Sequence, residues 1–215
     1  MATTAQMSSS HRRSAAGSLF SMLIAAGVAL LAVGWAFSTY KQLVRADQEV
    51  RARWTQVQTV YQRRAELVPN LVETVRAAPT FEAEPFTELA QARAQVAENS
   101  GTRLQNALGD SKAFQRFQSA QLALSTSLQQ LLAEAGANPE LQAAERFRDL
   151  QAQLEGSEHR VTIERMRFNE ASRQFNLLRN ALPTMLIARG FGDRFDEKPA
   201  FASSPAPARQ PSVRF

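Results

Sequence analysis

The sequence predicts an all-α protein, an N-terminal transmembrane helix followed by a long antiparallel four-helix bundle. Three observations carry that expectation. Residues 18–37, SLFSMLIAAGVALLAVGWAF, contain no charged side chain. Beyond them, apolar residues recur at three- and four-residue steps among Ala, Gln, Leu, Glu and Arg, with no strand-type alternation. Turn-forming residues break the pattern at 99–102 and 136–139, as short connections between helices require. The chain divides into a short N-terminal segment at 1–17, an anchor at 18–38, a helical bundle at 39–192 and a Pro/Ala/Ser-rich tail at 193–215, expected to be disordered.

At about 1.5 Å per residue the uncharged run spans roughly 30 Å, the thickness of a bilayer's hydrocarbon core. Trp35, Phe37 and Tyr40 mark its C-terminal border, where amphipathic rings favour the interface, and Lys41 follows. A soluble core helix is rarely apolar on every face, and a cleaved signal has an apolar region of only about 7–15 residues. The reading is therefore an uncleaved single-pass anchor, with cleavage as the alternative. Lys41, Arg45, Arg51 and Arg53 after the span outnumber Arg12 and Arg13 before it, which favours a cytoplasmic body. Two arginines followed by an apolar run nevertheless have the order of a secretory signal anchor, so composition leaves both sides open.

The first soluble segment, about 40–77, places Val50, Trp54, Val57, Tyr61, Leu67, Val68, Leu71, Val72 and Val75 on one stripe. Pro69 falls inside it, and a kink or brief interruption is expected near residues 68–70. A second helix is expected at about 80–99, opening on Glu82, Glu84 and Glu88, which suit a helix N-terminus. A third starts at Asp110 or Ser111 and runs to Ala135, with Gly136 as C-terminal cap. Asn138 then caps a fourth, with Pro139 at its first position. No proline follows until Pro183, so this helix is expected to run about 44 residues. Its stripe from Phe147 to Leu182 keeps a period near 3.5, which predicts long antiparallel packing. Gly156 inside it costs about 1 kcal/mol, which a buried contact would offset.

Composition removes many chemistries. With zero cysteines there is no disulfide, cysteine nucleophile, thiolate zinc site or iron–sulfur cluster, and His11 and His159 are too few for common histidine metal clusters. The net charge of +5 invites a nucleic-acid reading, but residues 39–182 carry 18 basic and 17 acidic groups, so the surplus lies at the ends. No nucleic-acid partner is expected. Glu155, Glu158, Glu164 and Glu170 alternate with His159, Arg160, Arg165, Arg167 and Arg173, mainly as a solvated salt-bridged face in which Glu155 can pair with His159. The Glu-x-x-His of di-metal bundles is missing, as are Gly-x-Ser-x-Gly, Walker A, Rossmann and His-Glu-x-x-His patterns. No catalytic residue, metal site or cofactor is expected.

Two longer motifs remain. Residues 61–76, YQRRAELVPNLVETVR, place an arginine pair before a Leu-Val-Pro-Asn-Leu-Val core. Residues 155–192 begin EGSEHRV and include Arg165, Phe168-Asn169-Glu170, Phe175-Asn176, Pro183 and Gly190-Phe191-Gly192. In order and separation these resemble the two hallmarks of the LemA family over about residues 38–192. Where that family usually has Tyr-Asn pairs, this chain has Tyr40-Lys41, Phe168-Asn169 and Phe175-Asn176. The resemblance implies a bacterial, membrane-held helical bundle without established enzymatic activity. Relatives stand beside membrane metalloproteases or phosphatase-like proteins, and one takes part in magnetosome assembly. Many Gram-negative members are outward-facing lipoproteins. That tips the preferred location of the body to the periplasmic side, with a cytoplasmic body the alternative, although this chain lacks the lipobox cysteine.

The hallmark residues are the candidates for interaction or structural polar contacts: Arg63, Arg64, Pro69, Asn70, Glu158, Arg160, Asn169, Glu170 and Asn176. Pro69 frees the Ala65 carbonyl, and the Asn70 amide can satisfy backbone groups nearby. Arg63 and Arg64 can reach Glu158 or Glu170 if the first and last helices are neighbours. Asn169 and Asn176 share a face. Phe191, Phe195 and Phe201 are expected to dock back onto the bundle, with a short docking motif for a partner as the alternative. Two functions compete: a non-enzymatic scaffold or adaptor for an unknown protein partner, or a carboxylate-dependent hydrolase or accessory subunit of a neighbouring membrane protease or phosphatase-like protein. Apolar stripe in excess can be covered within the chain or between copies, which allows a homo-oligomer.

Overall fold

A computed structural model describes residues 10–78, 84–101 and 107–202, with side chains from residue 22 onward. Every regular element among them is helical. Helix α1, Ser10–Arg76, is continuous over 67 residues, about 100 Å of rod that joins the apolar run to the amphipathic segment. The interruption expected at residues 68–70 does not occur, because Pro69 lies inside the helix. Pro69 is exposed and Ala65 only half-buried, so water has access to the turn whose carbonyl is deprived of its donor. Val68, Leu71 and Val75 meanwhile hold that turn to the core.

Helix α2 spans Glu84–Glu98, while the acidic opening proposed at Glu82 lies outside the described residues. Helix α3, Ser111–Gly136, starts at Asp110, whose carboxylate accepts from the Lys112 and Ala113 amides at 2.8 and 3.2 Å. Its C-terminal cap is Ala137, in right-handed backbone, one residue beyond the Gly136 expected there. Asn138 caps helix α4, Pro139–Ala143, through the Glu140 amide, with proline at the first turn.

The long last helix divides. Ala144 is extended (φ −73°, ψ 117°), and helix α5, Glu145–Asn180, begins after it with 36 residues. The break has a packing reason: Leu141 and Phe147, six residues apart, would sit about 120° apart on one continuous helix. With Ala144 extended, both enter the same core. Helix α6, Thr184–Gly190, and a 3-10 turn, Gly192–Phe195, complete the regular elements. Gly192 has φ +58°, a left-handed conformation that favours glycine at this corner.

Helices α1 and α5 run antiparallel along their lengths. Glu73 faces Arg146, Arg64 faces Glu158 and Trp54 faces Phe168, the numbers rising on one helix as they fall on the other. Helix α3 lies across this pair and meets both through side chains, Phe114 reaching Trp54 of α1 and Phe168 of α5, and α2 packs along α3. The buried residues form two clusters. The one nearer the apolar stretch is aromatic, with Trp54, Tyr61, Phe114, Phe117, Phe168, Phe175, Phe195 and Phe201. The farther one is mainly aliphatic, with Val68, Leu71, Leu89, Leu124, Leu128, Leu131, Leu150 and Leu154. Gly156 is exposed, and an added Cβ would meet nothing within 4 Å, so the offsetting buried contact expected there is absent.

The chain beyond residue 192 does not leave the body at once. Phe195, Lys198 and Phe201 are buried, so the tail boundary drawn at 193 falls too early. Residues 203–215, the rest of the segment expected to be disordered, lie outside the described residues.

Candidate functional site

Between the two clusters lies one polar layer. Tyr61, Arg64 and Val68 follow each other at three- and four-residue steps on α1, so Arg64 occupies a core position, only 1% exposed. Its Nη1 donates to Ser125 Oγ and, at 2.6 Å, to Glu158 Oε1. Its Nη2 donates to Gln121 Oε1 at 2.7 Å and to the Gln121 carbonyl at 3.3 Å. Ser125 Oγ also reaches Glu158 Oε1 at 3.3 Å. The guanidinium lies 5.0 Å from the centre of the Tyr61 ring, a cation–π contact, while its Nε has no hydrogen-bond partner.

The layer is asymmetric. Arg64 is sealed, whereas the Glu158 side chain is 39% exposed and borders a groove of about 330 Å³ between α3 and α5. Gln118, Gln121, Ser125, Gln129 and Arg165 line that groove too, and Ala202 closes one end. Burial raises the Tyr61 pKa, with nearby Arg165 and Arg64 opposing, so the phenol stays neutral at physiological pH.

A second constellation forms where residues 195–202 run antiparallel to α5. Asn169 donates Nδ2 to the Phe201 carbonyl at 3.1 Å and accepts the Phe201 amide on Oδ1 at 2.8 Å. Asn176 repeats this with Lys198, 2.9 Å in both directions. Each carboxamide thus takes the place of a neighbouring strand. Arg165 donates to the Ala202 carbonyl at 2.8 Å, and Arg179 Nε donates to that of Phe195. Inward, Phe201 enters the aromatic cluster against Phe114 (4.8 Å between ring centres) and Phe168 (5.5 Å). Phe195 meets Tyr40 at 6.0 Å. Between them Lys198 forms an ion pair with Asp47 at 2.8 Å and lies over the Phe175 ring. Burial alone would raise the Asp47 pKa, but Arg51 and Lys198 outweigh it and hold the carboxyl below its ordinary value.

Residues 53–215 match the model of the LemA family. The chain belongs to the LemA family. The match begins inside α1, beyond the apolar run, and extends past residue 192 to include the segment clasped by Asn169 and Asn176. No curated protein matches the chain.

In this LemA-family chain the candidate residues separate into groups. Arg64 meets Glu158, and Asn169 and Asn176 meet the segment of Phe195 and Phe201. Phe191 stays half-exposed, its ring 4.9 Å from that of Tyr40. Arg63, Asn70 and Arg160 are exposed and lie outside both constellations. The Ala65 carbonyl gains no bond from Asn70, whose own carbonyl accepts the Thr74 hydroxyl at 2.8 Å. Pro69 borders an apolar cleft of about 640 Å³ with Val68, Val72, Phe86 and Leu89.

Glu170 is bound not by Arg63 or Arg64 but by Arg173 and Gln174, each at 2.7 Å, and its pKa falls to about 2. Glu164 pairs with Arg167 at 2.7 Å, and Glu155 accepts from Gln151 rather than His159. Among the described residues no three His, Asp or Glu side chains gather into a group able to hold a metal ion. Gln121, Ser125, Asp47, Arg179 and Lys198 escape the sequence reading. For Gln121 a signal exists, since it fills the gap between Phe117 and Leu124 in the apolar stripe of α3.

Proposed function

We propose that this LemA-family protein is a non-enzymatic adaptor, held at a membrane by the apolar part of α1, whose α3–α5 groove binds a protein partner outside the cytoplasm. The observation that carries the reading is the lining of that groove. Gln118 and Gln129 bring side-chain amides to it that bond to no other side chain or backbone group among the described residues, next to a segment whose backbone is already held by Asn carboxamides. Such side chains suit an extended polypeptide, because an amide supplies both the donor and the acceptor that a peptide group needs.

The catalytic alternative is weaker on the same ground. Glu158 is the one carboxylate lining this groove, and it is committed to a buried guanidinium. Arg63, Asn70 and Glu170 do not line the groove, and among the described residues no second carboxylate or histidine does. Anchoring is supported by α1, which includes a stretch long and apolar enough to cross a membrane and is almost wholly exposed there.

Photoreactive residues at Gln129 and Thr162, both exposed and lining the groove, test the adaptor reading in native membranes. A discrete protein adduct at both and none at Arg63 on α1 is the expected outcome. Absence of adducts at both groove positions overturns it. Digestion of the body by protease added outside spheroplasts is required by the proposed orientation, and protection of the body there reverses it.

A further inference from the structure

The exposed apolar surface is unevenly distributed. Beyond Phe37, six large apolar side chains among the described residues are exposed: Leu122, Met166, Leu177, Leu182, Leu186 and Phe191. Four of the six fall within residues 177–191, at the end of the body from which the apolar stretch departs. The packing fixes their height. Phe191 packs at a tilt against Tyr40, only three residues or about 4.5 Å of helix beyond Phe37. Burial on α1 begins abruptly at the same place, Phe37 being 58% exposed and Thr39 only 6%. Ala188 is buried in the same cluster as Leu43 and Phe195, which ties α6 to the first turns after the stretch.

We propose that this corner, Leu182, Leu186 and Phe191, is an interfacial foot that inserts into the boundary between headgroups and acyl chains beside the span of α1. The inference rests on the membrane-anchored reading above. Once the stretch crosses a bilayer, rigid connection through one uninterrupted helix leaves the corner at the boundary, where Trp35 and Tyr40 also lie. Leu182 (72% exposed) and Leu186 (64%) then lose water without a protein partner. Charge does not select the lipid. Arg189 and Arg194, with Lys41 and Arg45 on α1 at about the same height, stand against Asp193, Asp196 and Glu197, all exposed, which leaves a surplus of one positive charge and no basic patch, so the occupant is the acyl boundary of a bilayer whatever its headgroups.

The absence of cysteine makes the test direct, since one introduced thiol can be labelled alone. Full-length chains carrying L186C, L182C, L30C or L122C are labelled with an environment-sensitive fluorophore. They are reconstituted into phosphatidylcholine vesicles, with or without phosphatidylglycerol, containing quencher-bearing lipids. Blue-shifted emission is expected at 186 and 182, with quenching by shallow labels equal in both lipids. Position 30 should be quenched by deep labels, and 122 by neither. Water-like emission at 186 and 182 with quenching at 30 overturns the foot but leaves the anchor. Loss of quenching at 30 overturns the anchor itself. A blue shift without lipid quenching means that protein, including a second copy, covers the corner, and quenching confined to phosphatidylglycerol means that charge holds it; either sinks the proposal.

Discussion

Replacing Glu158 by alanine takes the counter-charge from a guanidinium that is 1% exposed, while replacing Arg64 by methionine takes the guanidinium from a carboxylate side chain that is 39% exposed. The two removals are unequal. Without Glu158, Arg64 keeps only neutral acceptors: the two Gln121 oxygens and Ser125 Oγ. Breaking a buried pair in this way costs about 3–5 kcal/mol, and the lower end applies because the vacated position opens on the groove and admits water. Without Arg64, Glu158 turns to solvent and keeps its Ser125 contact, the methionine fills the space of the arginine stem, and Gln121 is left short of a donor. That costs about 1–2 kcal/mol.

E158A should therefore destabilise more than R64M by at least about 1 kcal/mol, although Glu158 is the more exposed residue. The double variant should lie within about 1 kcal/mol of R64M, because with the buried charge gone the carboxylate has little left to do. Urea unfolding of the full chain in detergent, followed through tryptophan emission, measures all three. Trp54 lies in the aromatic cluster next to the layer and reports its loss. If E158A proves no worse than R64M, or the two changes simply add, the layer is not a buried charge held by one carboxylate and the reasoning fails.

The remaining predictions concern the C-terminal segment, its electrostatics and one glycine. F201A should cost about 3–5 kcal/mol, since Phe201 is buried among Trp54, Phe114, Phe117 and Phe168, and thermal unfolding reads it. The double variant N169A/N176A should accelerate amide hydrogen exchange at Lys198 and Phe201, with exchange in the Asp110 cap unchanged. Asp47 has a lowered pKa in the folded chain, so the stabilisation from its charge is present above the ordinary value of 3.8 and is lost as pH falls through the lower folded value. Exchange protection of residues 195–202 should fall with acid in that window, and D47N should flatten the dependence. By the same sign the exposed Glu170 carboxyl should titrate by NMR near pH 2, and should move up toward its ordinary value in R173A while the Gln174 hydrogen bond still holds it below that value. G156A should stabilise by about 0.5–1 kcal/mol, because helix propensity rises and the new methyl meets no neighbour.

How much of this was legible depends on whether a feature repeats with the helix. The apolar run, the stripes and the Asp110 and Asn138 caps follow from local rules, and they appear where those rules place them. Arg64 was legible twice, as a hallmark residue and as a polar residue in a core position between Tyr61 and Val68. Its neighbour Gln121 carried the same signal on α3 and was passed over. The break at Ala144 had no local sign, because an alanine among helix formers was made extended by the need to bury both Leu141 and Phe147. The clasped segment was harder still. Asn169 and Asn176 bind backbone 32 and 22 residues away, and a peptide group carries no side-chain code by which a partner can be read. Only its anchors left a trace, in Phe195 and Phe201.

The same distinction bears on what the body is built to do. A bundle of heptad-like stripes can slide by a turn at small cost, because leucine on leucine looks alike after each repeat. Arg64 restricts that freedom, since moving α5 by one turn, about 5.4 Å, would carry Glu158 away and bring Val161 and Thr162 to the guanidinium in one direction and Leu154 with Glu155 in the other. The clasped segment adds a second fix near the other end, where Lys198 must meet Asp47 of α1 while Asn176 of α5 holds its backbone. Register between α1 and α5 is thus set at two levels, Asp47 and Arg64, which are 17 residues or about 25 Å apart. A rod pinned at two heights transmits position: the groove beside Glu158 stands at a fixed distance from the end of the apolar stretch. That is what an adaptor needs and what a water-soluble catalyst does not. If R64M and D47N together leave that distance unchanged, as measured between spin labels at residues 38 and 129, the pinning argument is wrong.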